Sequence, residues 1–166
     1  MIPIYIAMTP RFEVIKGMTE RSILANTEAD VEIIHLYPEV EKGCTGFSDV
    51  RYTIEHGIYL DPDMIVLGDI AELWAMRKPG RFVCMQDGST EVAVIDCKHL
   101  CHNKSQQNML PKACDIPPEW NVEDFQYYHK PMPENMKLLH FTALDTQPWF
   151  YEHPNKEMVE IYKQWV

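Results

Sequence analysis

The chain has 166 residues, 46% of them hydrophobic, and a formal net charge of -10. That length supports one domain over 1–166, built around one core, and no apolar run is long enough to cross a bilayer. The acidic balance excludes nucleic acid and anionic membrane surfaces as general partners, and it admits a small anion only where a cation or a few basic side chains reverse the local field.

Ile2 to Met8 is apolar and rich in β-formers, and Thr9-Pro10 cuts it off, so it reads as a buried first strand and not as a leader peptide. Thr9 can cap the next helix with Pro10 in its first turn. Ile15, Met18 and Ala25 then recur near helical period as far as Asn26. Val31 to Leu36 is a second strand, and strand, helix, strand at this spacing predicts a parallel α/β sheet. Tyr37 to Gly46 is a loop, and Phe47 to Gly57 is a candidate helix closed by its glycine.

Ile58 to Leu60 and Met64 to Leu67 are two short strands around Asp61-Pro62-Asp63, and a short helix begins near Asp69. Phe82 to Met85 and Val92 to Ile95 form a pair of strands turning at Asp87-Gly88. Periodicity fades over 99–136, where Pro111, Pro117, Pro118, Pro131 and Pro133 gather, so this stretch is expected to be a functional loop or lid. Lys137 to Phe141 returns to strand character. A closing helix from Asn155 sets Met158, Ile161, Tyr162 and Trp165 on one face.

The five Cys are odd in number and follow no disulfide-scaffold spacing, which predicts a reducing, cytoplasmic setting. Cys97, His99, Cys101, His102 and Cys114 could supply a zinc site in an interaction protein, although their spacing is that of no standard finger.

Asp61-Pro62-Asp63 carries the strongest chemical signal. Carboxylates two apart on extended backbone point to one side, and the triplet lies where a strand ends, at the edge where ligands of open α/β sheets bind. Two like charges buried together call for a neutralising metal. His140, at the end of a late strand, would complete a set of two oxygen donors and an imidazole, which suits manganese, with magnesium as the alternative. Arg51 offers a fixed positive fork for phosphate oxygens.

The run from Tyr59 to Leu73 around this triplet resembles the Asp-x-Asp block of the retaining family 8 glycosyltransferases, the glycogenin-like group. Ile4-Tyr5-Ile6-Ala7 resembles that family's opening strand, and Phe47-Ser48-Asp49-Val50-Arg51 its arginine-bearing helix. Pro117-Pro118-Glu119-Trp120-Asn121 is similar to a loop near sugar and acceptor. Leu139-His140-Phe141-Thr142 with Gln147-Pro148-Trp149 resembles the late histidine motif.

The resemblance implies a GT-A fold, a single Rossmann-like domain whose mainly parallel mixed sheet is flanked by helices. It implies a hexosyltransferase acting with retention on a uridine diphosphate sugar, UDP-glucose or UDP-galactose, and an acceptor the sequence does not identify. Asp61, Asp63 and His140 would hold the metal. Ala7, Met8, Thr9, Arg11, Arg51, Leu60, Asp61, Pro62, Asp63 and Gln147 would contact the donor, while Asp61, Asp63, Glu119 and Asn121 would serve catalysis, with Asp87 helping to position the acceptor. The aromatics in its loops also suit a homodimer.

The chain departs from the family pattern at several places. Ser89-Thr90-Glu91 stands where Asn-Ala-Gly is usual, and Gln147 replaces a phosphate-binding lysine. The stretch from His140 to Trp149 is longer by a residue, the Asp-Gln-Asp signature is missing, and the chain is short. These losses keep a second reading open, a sugar-nucleotide or glycan-binding module without turnover.

Overall fold

The computed structural model describes residues 1–38, 49–98 and 104–166. The main sheet has six strands in the order β2-β1-β3-β6-β5-β7. These are β1 (Ile2–Ala7), β2 (Val31–Leu36), β3 (His56–Leu60), β5 (Arg81–Met85), β6 (Val92–Asp96) and β7 (Lys112–Ile116). β1 runs parallel to β2 and β3, β5 runs parallel to β7, and β6 is antiparallel to both its neighbours. One reversed strand therefore interrupts an otherwise parallel sheet. A smaller sheet, β4-β9-β8, is formed by β4 (Met64–Val66), β8 (Val122–Glu123) and β9 (Leu138–His140).

The central strands are apolar on both faces because both are covered, as expected of parallel sheets. Ile58 and Leu60 of β3, Val83 of β5 and Val94 of β6 enter one cluster. It also holds Met18 and Ile23 of α1 (Lys16–Asn26), Ile70 and Leu73 of α2 (Ile70–Ala75), and Met158 of α3 (Lys156–Lys163). Ile65 of β4 and Leu139 of β9 join that same cluster, so the smaller sheet shares the main core. The alternate side chains Tyr59, Phe82, Cys84, Ala93 and Ile95 form a second cluster with Tyr52, Ile54 and Leu110.

Three expectations are corrected. The first helix starts later than Pro10: Thr9 accepts the Phe12 amide in a turn, Glu13–Ile15 is a 3-10 turn, and α1 begins at Lys16. Its buried face is Met18, Thr19, Ser22 and Ile23, while Ala25 is exposed. The polar pair is buried because it bonds the opposite element: the Thr19 hydroxyl donates to the Pro62 carbonyl (2.7 Å), and Ser22 Oγ accepts the Val66 amide (3.0 Å).

Gly57 closes no helix. The described part of that segment is a 3-10 turn, Val50–Thr53, and Gly57 lies within β3 at φ 145°. A Cβ there would sit 2.6 Å from the Tyr5 ring and 2.8 Å from the Pro3 carbonyl, so only glycine fits. Finally, the described part of 99–136 is built into the fold. It supplies the edge strand β7, the 3-10 turns Pro118–Trp120 and Asp124–Tyr127, and β8 between them, with Trp120 and Asp124 fully buried. Among the described residues, no helix is long and apolar enough to cross a membrane.

Candidate functional site

Asp61 follows the last residue of β3 and Met64 opens β4, so Asp61-Pro62-Asp63 is the crossing between the two sheets. Three bonds to its backbone hold the crossing: the Asp61 amide donates to Glu91 O (3.2 Å), Pro62 O accepts from the Thr19 hydroxyl, and Asp63 O accepts the Phe141 amide (2.9 Å). β9 pairs antiparallel with β4 and sets Met64 opposite His140. That register carries the histidine to the triplet across 77 residues of sequence.

The side chains form one buried network, with Asp61 8%, Asp63 6% and His140 3% exposed. Asp61 Oδ1 accepts from the Tyr59 hydroxyl (2.6 Å) and from Arg51 (3.2 Å), whose other terminal nitrogen donates to Thr90 Oγ1 (2.9 Å). Asp63 Oδ1 lies 3.1 Å from His140 Nε2, and Asp63 Oδ2 accepts from the Gln147 amide (3.1 Å). On the far side of the ring, His140 Nδ1 meets Asn121 Oδ1 at 2.9 Å, and the Asn121 amide donates to Glu91 Oε2 (3.3 Å).

Burial pushes the Asp61 carboxyl above the ordinary carboxylate value, an effect opposed by Arg51 and His140 and reinforced by Asp63. Burial also raises Tyr59 well above its usual value, which keeps it a hydroxyl donor to Asp61. For His140 burial works against the charge, but Asp63, with help from Asp61 and Glu91, outweighs it and lifts the pKa to about 9. The ring is therefore a cation at neutral pH, donating from both nitrogens. Arg51 is likewise held above its ordinary value by Tyr59 and Asp61 in spite of burial.

In kind, two carboxylates and an imidazole suit a hard divalent cation, which would displace the proton that His140 gives to Asp63. In arrangement, Asp61 faces Arg51 and Tyr59 while Asp63 faces His140 and Gln147. Among the described residues, no three His, Cys, Asp or Glu side chains converge as a ready-made metal site.

The other expected residues fall in three groups. Arg11 comes to the network by donating to Gln147 Oε1 (3.5 Å) and Leu144 O (3.0 Å), so the end of β1 is tied to the late loop. Ala7, Met8, Leu60 and Pro62 are buried, with the Met8 amide bonded to Leu36 O and the Pro62 carbonyl to Thr19, and Thr9 is half-buried beside them. Glu119 stands apart from the network, giving its carbonyl to the Lys137 amide, and Asp87 sits at the β5–β6 hairpin tip, where it accepts the Ser89 amide. Of the cysteine cluster, His99, Cys101 and His102 lie outside the described residues. Cys97 is buried just past β6, and Cys114 places its sulfur 3.4 Å from that of Cys84.

Sequence reading missed Tyr59, Thr90 and Glu91. Tyr59 was within reach, since it precedes Asp61 by two and extended backbone brings both to one side. It also missed the buried pair His153 and Asp124 (3.3 Å), which fastens the segment after β9: Asp124 Oδ1 accepts the Thr142 amide (3.0 Å) and hydroxyl (3.1 Å). No local pattern announces that pair, because its members lie far apart in the chain.

The same architecture recurs in solved structures. The glycosyltransferase GlyE of Streptococcus pneumoniae TIGR4 superposes with a TM-score of 0.68 at 13% identity, over 98% of this chain and 60% of that one. The galactosyltransferase LgtC, solved with donor and acceptor sugar analogues, gives 0.63 at 10% identity over 99% and 96%. The bifunctional glycosyltransferase WbbM gives 0.60 at 11% identity over 89% and 46%. The fold is GT-A. This GT-A chain thus spans about three fifths of the length of GlyE. Neither a family model nor a curated protein matches its sequence.

Proposed function

We propose that the chain is a metal-dependent glycosyltransferase that moves a hexose from a uridine diphosphate sugar to an acceptor with retention, in the manner of family 8. One observation carries the reading. A buried Asp-x-Asp crossing at the C-terminal end of β3 is bound to a histidine from the end of β9, with Arg51 bonded to Asp61 and Arg11 bonded to Gln147.

Asp61, Asp63 and His140 would hold manganese or magnesium, which supplies charge neutralisation for the diphosphate and for the departing nucleoside diphosphate. Arg51 is preformed for phosphate, because Thr90 and Asp61 fix its fork and its guanidinium stacks 4.7 Å from the centroid of Tyr59. Arg11 and the Gln147 amide stand at the other side of the network. The ends of β1 and β3 offer backbone groups to the nucleoside, as ligand sites of open α/β sheets do. Asn121 keeps the His140 ring oriented through Nδ1, and Asp87 and Glu119 are the carboxylates we assign to positioning the acceptor.

Donor binding without turnover is the rival, and a specific contact favours it: Asp61 Oδ1 is already engaged by Arg51 and Tyr59. Calorimetry with UDP-glucose and UDP-galactose, each with and without manganese, combined with an assay for released nucleoside diphosphate, separates the two. Transfer predicts manganese-dependent binding and release; the rival predicts binding alone. Absence of any nucleotide-sugar binding defeats both.

A further inference from the structure

Beside the Asp-x-Asp network lies a cleft of about 260 Å³ between the tip of the β5–β6 hairpin and the segment around β8. It is lined by Gln86, Asp87, Asn121, Glu123, Gln126 and Tyr127, together with a few apolar side chains. Asn121 belongs to both places, since its carbonyl oxygen meets His140 and its amide meets Glu91. Glu123 pairs in register with His140 across β8 and β9. The cleft and the proposed metal and phosphate site therefore share a wall.

Gln86, the Tyr127 phenol and the remaining capacity of Asn121 and Gln126, whose amides already donate to Glu91 and Glu123, offer donors and acceptors to a hydroxyl-rich ligand, and Tyr127 adds a ring face. The charges are one-sided: Asp87 and Glu123 line the cleft, and none of its lining side chains is basic. Burial raises the Glu123 carboxyl above its ordinary value; the Gln126 amide and the His140 cation oppose this, while Glu91 and Asp87 reinforce it. The Tyr127 ring already receives one ammonium, that of Lys130, 4.5 Å from its centroid. A cation entering the cleft would relieve the carboxylate repulsion, and an anion would add to it.

We propose that this cleft is the acceptor subsite and that it selects a hydroxylated acceptor carrying an amino group, an amino-sugar-like class, over anionic ones. Calling the occupant an acceptor rests on the transferase reading; the charge selectivity of the cleft does not.

The test follows backbone amide shifts of the full chain while glucosamine, glucose or glucuronate is added, with uridine diphosphate and manganese in a parallel titration. The expected result is movement at Gln86, Asp87, Asn121 and Gln126, with glucosamine about three- to five-fold tighter than glucose, the effect of one partly exposed ion pair, and glucuronate weakest. The preference should shrink as salt is added to the unaltered protein, and it should vanish in the isosteric double variant Asp87→Asn/Glu123→Gln. Glucuronate binding as well as glucosamine, no response at the cleft, or a preference indifferent to salt would overturn the proposal. If nucleotide binds while the cleft stays silent, this inference alone fails. If the cleft selects glucosamine while no nucleotide binds, the transferase reading fails and the selectivity stands.

Discussion

His140 is held at both ring nitrogens, by Asn121 on one side and Asp63 on the other, and each contact has its own test. Asn121→Ala removes the partner that orients the ring, so manganese affinity should fall about 10- to 100-fold, the usual cost of losing such a support, while circular dichroism stays unchanged. Asp63→Asn should abolish metal-dependent nucleotide-sugar binding in calorimetry, and unchanged binding would remove the proposed site. The pKa of about 9 also makes the metal-free fold pH-sensitive. A base raised in the folded state from an ordinary 6.5 gives its full stabilisation below pH 6.5 and loses it as pH climbs through 9. Urea unfolding in the presence of a chelator should lose roughly 2–3 kcal/mol across that window, and His140→Gln should flatten the loss.

At the scale of elements, α1 is fastened to the site by polar bonds as well as by its buried Met18 and Ile23. Thr19→Val keeps the shape and leaves the Pro62 carbonyl without its buried donor, which should cost about 1–3 kcal/mol in denaturant unfolding and weaken nucleotide-sugar binding as the crossing relaxes. Cys84 and Cys114 face each other across β5 and β7 yet differ in reactivity, because Cys114 is exposed while burial, with Cys114 beside it, pushes the Cys84 thiol up to about 12. Alkylation followed by mass spectrometry at pH 8 should label Cys114 before Cys84.

Most of these elements were legible. Short apolar, β-forming runs and the turn signals Thr9-Pro10 and Asp87-Gly88 located β1, β2, β5 and β6 because both kinds of signal are local. Gly57 misled because a glycine that stops a helix and a glycine that admits a neighbouring strand look alike until Tyr5 is placed beside it. The stretch containing β7 and β8 hides its strands because Pro111 and Pro117 bracket β7 and β8 is only two residues long, and the pairing of both is decided by partners distant in sequence.

Across the whole molecule, one apolar cluster runs from β1 through the smaller sheet to α3. Tryptophan fluorescence and far-ultraviolet dichroism should therefore report a single coincident unfolding transition, and two separated midpoints would show that the sheets come apart independently. The acidic pair was readable because its members are neighbours in sequence. Its partners Thr90, Glu91 and Asn121 were harder to foresee as a network, since the β3–β6 pairing brings Thr90 and Glu91 to it and the β8–β9 register brings Asn121.

The bond between Asp63 and Gln147 joins positions 84 residues apart. Loops of that length close late, after local pieces have formed. A ribosome-bound chain that has emerged only as far as β6 already displays both aspartates and the arginine fork, yet neither the imidazole nor the amide has arrived to meet them. Nucleotide-sugar capture should begin only once β9 and the turn beyond it have docked, so the ligand would act as a gauge of completed folding, and its presence should slow the first opening of that final segment.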